Sequence, residues 1–352
     1  KPTYIIEYSQ NGSLHQLLNL LRKGEKVAEW NDTKRLINIF GIAAGMSYLY
    51  NDFGLIHFDL KPDNILLDEH LYPKITDFTL ARYSNQLFDT DFEFNGTLEY
   101  VGPEVFISEE IDNHFDVYSF AIIAYEIMTS DKPYDDLANQ AEIINEITKN
   151  HRRPLFKKEI PACYKDLIEK CWTENPMERP TFTELVDILS NDPNFITEKV
   201  DKEEFLNYVK IIETAQLKAT YNYQTNRPEF IVHKDILSFP KVNIYSNRIK
   251  ETKKITINIA PIDLSQFEIL KKVGEGNYGA VYKIIKKDKK EEEFAAKISL
   301  ITIDECKEQQ LISLEREVNI IRQLDHPSIM QFIGFNLSNF DYKQKPTIIT
   351  EF

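Results

Sequence analysis

The chain has 352 residues, a formal net charge of −14 at pH 7 and the composition of a soluble globular protein, with 42% hydrophobic residues. It is long enough for two domains, and its acidic balance argues against nucleic acid or an anionic membrane as the main partner, because both select basic surfaces. Three cysteines without the spacing of a zinc site indicate a reducing compartment, so we expect a cytoplasmic protein. The best apolar run, Phe120 to Met128, is too short to span a membrane.

The leading part of the chain predicts a mostly helical unit with a small β insertion. Ser13-Leu14 opens a short helix, and Asp32-Thr33 can cap a long helix whose apolar positions recur with helical spacing. Two short strands follow, at Ile65–Leu67 and Lys74–Thr76. The almost wholly apolar stretch from Asp116 to Met128 predicts a helix that lies inside the domain.

The rest of the sequence first loses and then regains a regular pattern. Residues 191–261 are mostly polar, and one amphipathic stretch, Lys202 to Lys218, predicts a helix within a linker. Beyond residue 261 the pattern is strand-like, apart from a helix predicted at Glu308–Leu324. The predicted strands are Phe267–Val273, Ala280–Ile285, Phe294–Ser299, Ile329–Phe335 and Thr347–Phe352. Strands around one helix make a small α+β lobe.

Three glycines, Gly274, Gly276 and Gly279, form a G-x-G-x-x-G pattern, which alone is weak evidence because dinucleotide-binding folds share it. A dinucleotide-binding loop leads into a helix, whereas the segment after Gly279 has the pattern of a strand. The context therefore predicts a glycine-rich hairpin over phosphates, where side chains would keep the backbone amides away from the oxygens. It disfavours a dinucleotide-dependent enzyme.

Two charged residues follow these glycines at a functional spacing. Lys297 lies on the next strand but one, where a buried lysine can reach phosphates. Glu317 lies on the following helix, where its carboxylate can hold the ammonium group in place. Each residue taken alone would be interpreted as a surface charge, but the spacing after the glycines favours the functional interpretation.

A second set of polar residues, in the leading part of the chain, suits phosphoryl transfer. Asp59 can orient the attacking hydroxyl and accept its proton, and Lys61 can steady the transferring phosphate. Asn64 and Asp77 supply oxygen ligands for Mg²⁺, which neutralises phosphate charge.

These motifs together resemble the protein kinase superfamily, and in particular tyrosine-kinase-like Ser/Thr kinases. The resemblance rests on the segment from His57 to Asn64, on Asp77-Phe78, on Gly96 to Glu104, on Asp116 to Phe120 and on Cys171 to Phe182. It implies a bilobal α+β kinase fold with ATP and Mg²⁺ as cofactors. It also implies that the γ-phosphate of ATP is transferred to Ser/Thr hydroxyls of protein substrates.

The resemblance implies roles for further residues. Arg179 would pair with Glu104, and Asp116 would accept hydrogen bonds from the backbone near His57. One hydrophobic stack would contain Ile321, Phe332, His57 and Phe78. The residues expected around the nucleotide, in addition to the glycines, Lys297 and Glu317, are Val281, Ala295, Leu66 and the hinge residues Glu7, Ser9, Thr350 and Glu351.

The order of the motifs is inverted relative to that family. A C-lobe at 1–190 comes first, a linker with a helix occupies 191–261, and an N-lobe at 262–352 comes last. Residues 1–8 and 345–352 match in register, so the sequence starts and stops at the same structural point, and Lys1 is not a native start. Two layouts follow: a window from a tandem array, with neighbouring kinase lobes in the parent chain, or a circular permutant. The matching ends favour the tandem window.

Two residues depart from the family pattern. Phe58 replaces the arginine that normally pairs with a phosphorylated activation segment, and Thr79 replaces the glycine after Asp77-Phe78. A β-branched residue resists backbone changes that glycine permits, so Thr79 could limit switching or misplace Asp77. These departures leave open a pseudokinase that binds nucleotide or partners as a scaffold or allosteric module. The intact catalytic residues favour an active enzyme.

Overall fold

The computed structural model describes residues 11–84, 97–107, 114–225, 262–276, 279–298, 316–336 and 347–351. Of residues 217–225, 275–276, 279 and 347–351, only the backbone is described.

The leading lobe is mainly helical, as the sequence predicts. Its helices are α1 (Leu14–Arg22), α2 (Asp32–Phe53), α3 (Glu104–Ile107), α4 (His114–Thr129), α5 (Gln140–Lys149), α6 (Ala162–Cys171) and α7 (Phe182–Asn191). Ser13 caps α1 in a capping box with Gln16. The predicted cap of α2 was wrong by one residue. Asn31 is the extended residue whose side chain accepts the Lys34 N–H, and Asp32 already belongs to the first turn.

Helix α4 forms the centre of this lobe. Almost all of its residues are buried, which confirms the prediction from its apolar sequence. It packs within one hydrophobic cluster that also contains the inner faces of α2, α6 and α7. Among the described helices, none has the length and apolar character needed to cross a membrane.

Two small antiparallel pairs of strands support the loops that carry the polar residues. Strand β1 (Leu55–Ile56) pairs with β4 (Arg82–Tyr83), and β2 (Ile65–Leu67) pairs with β3 (Pro73–Ile75). The segment from His57 to Asn64 therefore leaves β1 and enters β2, while Asp77 lies between β3 and β4. Both loops are held at their two ends.

A further helix, α8 (Lys202–Thr225), begins at the residue that the sequence predicts and continues beyond the predicted end. Its buried side chains, Phe205, Tyr208, Val209 and Ile212, belong to the main hydrophobic cluster. Phe205 makes an edge contact with Phe40 of α2 at a ring-centroid distance of 5.6 Å. This helix therefore packs as part of the leading lobe.

The trailing lobe is a five-stranded antiparallel sheet in the order β5-β6-β7-β9-β8, with one helix, α9, described at 316–321. Its strands are β5 (Phe267–Gly276), β6 (Gly279–Lys286), β7 (Lys289–Ile298), β8 (Phe332–Asn336) and β9 (Thr347–Glu351). Strand β8 begins later than predicted, because Ile329 instead forms a parallel bridge to Ile75 of the leading lobe.

The two lobes contact each other through backbone hydrogen bonds and a shared core. The Ile75 N–H donates to the Ser328 carbonyl at 2.8 Å, and the Met330 N–H donates to the Ile75 carbonyl at 3.1 Å. Tyr48 stacks on His326 at a centroid distance of 5.0 Å. Buried residues from both lobes belong to the same hydrophobic cluster. The hydrophobic core thus continues from one lobe into the other.

Candidate active site

A cleft of about 730 Å³ lies between the two lobes. From the leading lobe it is lined by Leu66, Asn64 and Asp77, and from the trailing lobe by Gly274 and Val281. These are five of the residues that the sequence assigns to nucleotide and metal binding. The fold brings them to one place although more than 190 residues separate the two groups.

The loop between β1 and β2 is organised around the Asp59 carboxylate. Lys61 Nζ donates to both oxygens of Asp59 at 2.9 and 2.7 Å, and Asn64 Nδ2 donates to Asp59 Oδ2 at 2.9 Å. Lys61 also donates to Thr97 Oγ1 at 3.1 Å, which ties this loop to the segment before α3. Burial raises the pKa of Asp59, although the charge of Lys61 opposes the shift.

The backbone of this loop is held by a side chain of α4. Asp116, which is buried, accepts the His57 N–H at 2.7 Å and the Phe58 N–H at 3.1 Å. This confirms the predicted role of Asp116. Burial raises its pKa to about 6, outweighing the two hydrogen bonds that favour the ionised carboxylate.

His57 orients the loop from its other side. Its Nδ1 accepts the Asp59 N–H at 3.3 Å, so the ring proton is on Nε2, which lies 3.1 Å from the Thr76 carbonyl. The ring also packs on Phe78 at a centroid distance of 5.2 Å. Phe78 and Ile321 share the main cluster, and Phe332 packs against it, as expected for the predicted hydrophobic stack.

Asp77 lies at the meeting point of the two lobes. Its φ of 64° is in the left-handed region, which Asp tolerates better than most residues. The pKa of Asp77 is lowered: burial alone would raise it, but the charge of Lys297 and the hydrogen bond from the Thr79 hydroxyl outweigh burial. Lys297 of the trailing lobe therefore acts electrostatically on Asp77 of the leading lobe.

Lys297, Ala295 and Val281 share one face of the trailing sheet. Val281 is paired directly with Lys297, and directly opposite residues point to the same face. Ala295 is two residues from Lys297 on β7 and so lies on that face too. Lys297 and Glu317 are both buried, which excludes the interpretation of two surface charges.

The glycine hairpin joins β5 and β6, where Gly276 is paired with Gly279. The strand predicted after Gly279 is present. A Cβ atom at Gly274 would meet no protein atom within 4 Å, so packing within the chain does not require glycine there. Glycine at this position leaves room for a ligand to approach the backbone, which fits a phosphate group.

Asn64 and Asp77 fit the coordination chemistry of Mg²⁺. Asn64 makes both of its hydrogen bonds to Asp59 through the amide nitrogen, so its amide oxygen is the atom that can bind a cation. In the described parts of the chain, no group of three His, Cys, Asp or Glu residues is placed to bind a metal. A magnesium ion at this site would therefore depend on phosphate oxygens as well, which is its usual behaviour in proteins.

Not all predicted site residues can be located. Glu7 and Ser9 lie outside the described residues. Thr350 and Glu351 are described by their backbone on β9, where they pair with Ala295 and Phe294 of β7. Their roles at a nucleotide remain predictions.

Comparison with known proteins decides the family. A family model described as the protein kinase domain matches residues 2–189 and 267–352. The chain belongs to the protein kinase domain family.

Several kinases from distant organisms are similar to parts of this chain. RGS domain-containing serine/threonine-protein kinase A of Dictyostelium discoideum is 38% identical over 188 residues, which cover 53% of this chain and 16% of that protein. Receptor-interacting serine/threonine-protein kinase 4 of Mus musculus is 33% identical over 210 residues, or 56% of this chain and 25% of that protein. Serine/threonine-protein kinase 12 of Arabidopsis thaliana is 36% identical over 193 residues, or 53% and 40%. The chain thus spans less than half the length of these curated relatives.

The kinase C-lobe contains the predicted structural ion pair. Arg179 donates to both oxygens of Glu104, at 2.7 and 2.8 Å, and both side chains are buried. Arg179 also donates to the carbonyls of His114 and Thr173, each at 3.0 Å. This bidentate contact holds α3 against the segment before α7.

Phe58, which replaces the usual arginine of the kinase catalytic loop, is buried in a small apolar cluster. Phe115 at the start of α4 lies 5.2 Å from it, and Ile56 and Val101 complete the buried part of the cluster. The side chains of Val105 and Phe106 pack against this cluster. The catalytic loop is thereby joined to residues 101–106 by apolar contacts.

Sequence reasoning missed two contacts of the site. The bond from Lys61 to the Thr97 hydroxyl joins residues 36 positions apart, which no local pattern indicates. Thr79 was identified as a departure from the family, but nothing in the local pattern indicated its hydrogen bond to Glu317, 238 residues away.

Proposed function

We propose that the chain is a protein Ser/Thr kinase that transfers the γ-phosphate of ATP to hydroxyl groups of protein substrates, and that its own two lobes form the catalytic centre. One observation carries the proposal. Asp77 of the C-lobe is under the electrostatic influence of Lys297 of the N-lobe, and Thr79 links the same loop to Glu317. These contacts between groups of the two lobes support a catalytic centre formed by both.

The roles of the residues follow from their surroundings. The Asp59 carboxylate orients the attacking hydroxyl and accepts its proton, and its raised pKa makes it a better base than an exposed aspartate. Lys61 steadies the transferring phosphate while it stays within hydrogen-bonding distance of Asp59. Asn64 and Asp77 hold Mg²⁺, which when bound neutralises charge on the phosphates.

The nucleotide would be held mainly by the N-lobe. The glycine hairpin covers the phosphates, and Lys297, with Glu317, contacts them from β7. Leu66 and Val281 line opposite sides of the cleft, and with Ala295 they would enclose the adenine. The protein substrate and a cytoplasmic location remain expectations from the family and the cysteine content.

Phosphotransfer to a generic protein substrate tests the activity. We expect wild type to incorporate phosphate into Ser or Thr and Asp59→Asn to lose at least about 10²-fold in rate, because a general base contributes 10²–10⁴-fold. Nucleotide binding by wild type without transfer would instead favour the pseudokinase. The Asp59→Asn variant should still bind nucleotide, which controls for misfolding.

Mixing two inactive variants tests whether the site forms within one chain. Asp59→Asn impairs the C-lobe, and Lys297→Met impairs the N-lobe. The interlobe hydrogen bonds at Ile75 support assembly in cis, and in that case the mixture stays inactive. Recovery of activity on mixing would instead support lobes that pair between copies or repeats.

A further inference from the structure

Thr79 lies in the loop between β3 and β4, where most kinases carry glycine. Its side chain is largely buried, with 8% of the residue surface exposed. The hydroxyl is within hydrogen-bonding distance of Asp77 Oδ1, and it lies 2.8 Å from Glu317 Oε2. The Thr79 N–H adds a longer bond to Asp77 Oδ1 at 3.4 Å. One small side chain therefore contacts two carboxylates from different lobes.

Placing Glu317 and Asp77 near one hydroxyl costs free energy unless hydrogen bonds or positive charge compensate the two carboxylates. Glu317 is buried, and Asp77 is half-buried where it lines the cleft. A carboxylate with little access to water needs hydrogen-bond donors or nearby positive charge to stay ionised. A hydroxyl has one proton, so at any moment Thr79 donates to one of the two carboxylates. The positive charge of Lys297 offsets part of their mutual repulsion at Asp77. The hydroxyl therefore links the two lobes when its proton points to Glu317.

We infer that Thr79 is a positioning residue whose hydroxyl ties the loop that carries Asp77 to the helix that carries Glu317 before any nucleotide binds. Neither glycine nor alanine can make this link, because both lack a hydroxyl. The link joins the C-lobe loop to α9 of the N-lobe, and so it restricts the movement of both. The tie depends on the geometry alone, and its benefit to nucleotide binding rests on the proposed function.

Hydrogen–deuterium exchange of the ligand-free, full 352-residue chain tests the tie directly. We expect Thr79→Val and Thr79→Ala to speed amide exchange in 316–321 by on the order of tenfold, since a hydrogen bond to a charged group is lost. Thr79→Ser keeps the hydroxyl and should exchange within about twofold of wild type.

Two features keep this test decisive. Thr129→Val removes another buried hydroxyl, which bonds to the Tyr125 carbonyl in α4, and it should leave exchange in 316–321 unchanged. Thr79→Ala serves in case the extra methyl of valine, placed against two carboxylates, prevents folding. Unchanged exchange in whichever of these variants folds would overturn the inference.

Binding of a non-hydrolysable ATP analogue tests the consequence for the site. With Mg²⁺ present, Thr79→Ala should bind the analogue about tenfold more weakly than wild type, because Asp77 is less well placed. In EDTA the difference in affinity between the two proteins should be smaller, because Asp77 acts through the cation.

Thr79→Gly separates this inference from the opposite interpretation. If Thr79 misplaces Asp77, glycine should tighten binding of the analogue in Mg²⁺, and such a result would overturn our inference. If Thr79 positions Asp77, glycine should weaken it. Failure of wild type to bind the analogue would contradict the proposed function, whereas the exchange experiment on the ligand-free chain would still decide whether the tie exists.

Discussion

The hydroxyls of Tyr208 and Ser328 lie 3.0 Å apart, and both residues are buried. This hydrogen bond joins α8, which follows the C-lobe, to the N-lobe segment that forms the backbone contacts with Ile75. The approach is possible because α2 has glycine at position 41. A Cβ atom there would lie 2.4 Å from Tyr208 Oη and 2.6 Å from Pro73 Cγ. Helix α8 thus contacts both lobes at once.

Gly41→Ala should destabilise the protein by about 1–3 kcal/mol, because the added methyl overpacks the site between α2 and α8. Tyr208→Phe alone should cost about 1 kcal/mol, since Ser328 loses its partner. Combined, the two changes should cost less than their sum, because the nearest clashing atom, Tyr208 Oη, has been removed. The residual clash with Pro73 keeps the rescue partial. Urea denaturation measures all three values, and strict additivity would contradict the close approach.

Glu126 should make stability depend on pH. It is buried in α4, accepts the Tyr100 hydroxyl at 2.6 Å and contacts Arg22. Burial raises its pKa from 4.5 to about 7, outweighing both donors. Between these values the folded protein binds more protons than the unfolded chain, so the free energy of unfolding falls as pH rises. Below pH 4.5 this contribution is fully present, and above about 7 it is lost.

Glu126→Gln isolates this effect from the other titrating groups. We expect wild type to lose stability relative to the variant as pH rises from 5 to 7.5, measured by urea denaturation at each pH. Asp116, whose pKa is raised to about 6, contributes in the same direction, but it is present in both proteins and cancels in the difference. Parallel stability curves for the two proteins would contradict the raised pKa.

The Glu104–Arg179 pair should show strong energetic coupling. Arg179→Met leaves a buried carboxylate without its partner and should cost about 3–5 kcal/mol, and Glu104→Met should cost a similar amount. The double variant should cost much less than the sum, because neither charge is then left alone, although the bonds to the His114 and Thr173 carbonyls are still lost. A double-mutant cycle by chemical denaturation checks this, with additive losses as the contrary outcome.

Because Phe58 cannot pair with a negative charge as arginine does, we predict that a charge added to the activation segment has little effect on activity. Thr97 is unsuitable for this test because its hydroxyl binds Lys61, and Thr90 lies outside the described residues. Ser84 is the better position, and Ser84→Glu should change the rate of phosphotransfer by less than about twofold, since no arginine follows His57 to pair with the charge. Ser84→Gln is the uncharged control. Strong activation by glutamate but not by glutamine would contradict the prediction.

The parts of the fold that depend on nearby residues could be predicted. Ser13 and Gln16 form the capping box that starts α1, and the apolar run of α4 indicated its burial. The strands predicted at Ile65–Leu67 and Lys74–Thr76 are present as β2 and β3, the second beginning one residue earlier. They fix the segments next to Asn64 and Asp77.

Contacts between distant segments could not be predicted in this way. The amphipathic pattern of α8 indicated a helix, but not that Tyr208 would pack against Gly41. In the sequence, a glycine within a helix pattern indicates only a loss of helix stability. The structure gives the reason for Gly41, which is the close approach of α8. The link from Thr79 to Glu317 depends on the packing of the two lobes, which no local periodicity encodes.

The apolar contacts of Phe58 determine which conditions weaken the attachment of the catalytic loop to residues 101–106. An arginine–phosphate contact weakens as salt screens it and disappears when a phosphatase acts. Aromatic and aliphatic packing against Phe115 and Val101 is insensitive to both, but it weakens on cooling. Attachment of the loop to residues 101–106 therefore follows temperature rather than ionic strength or the balance of kinases and phosphatases acting upon it.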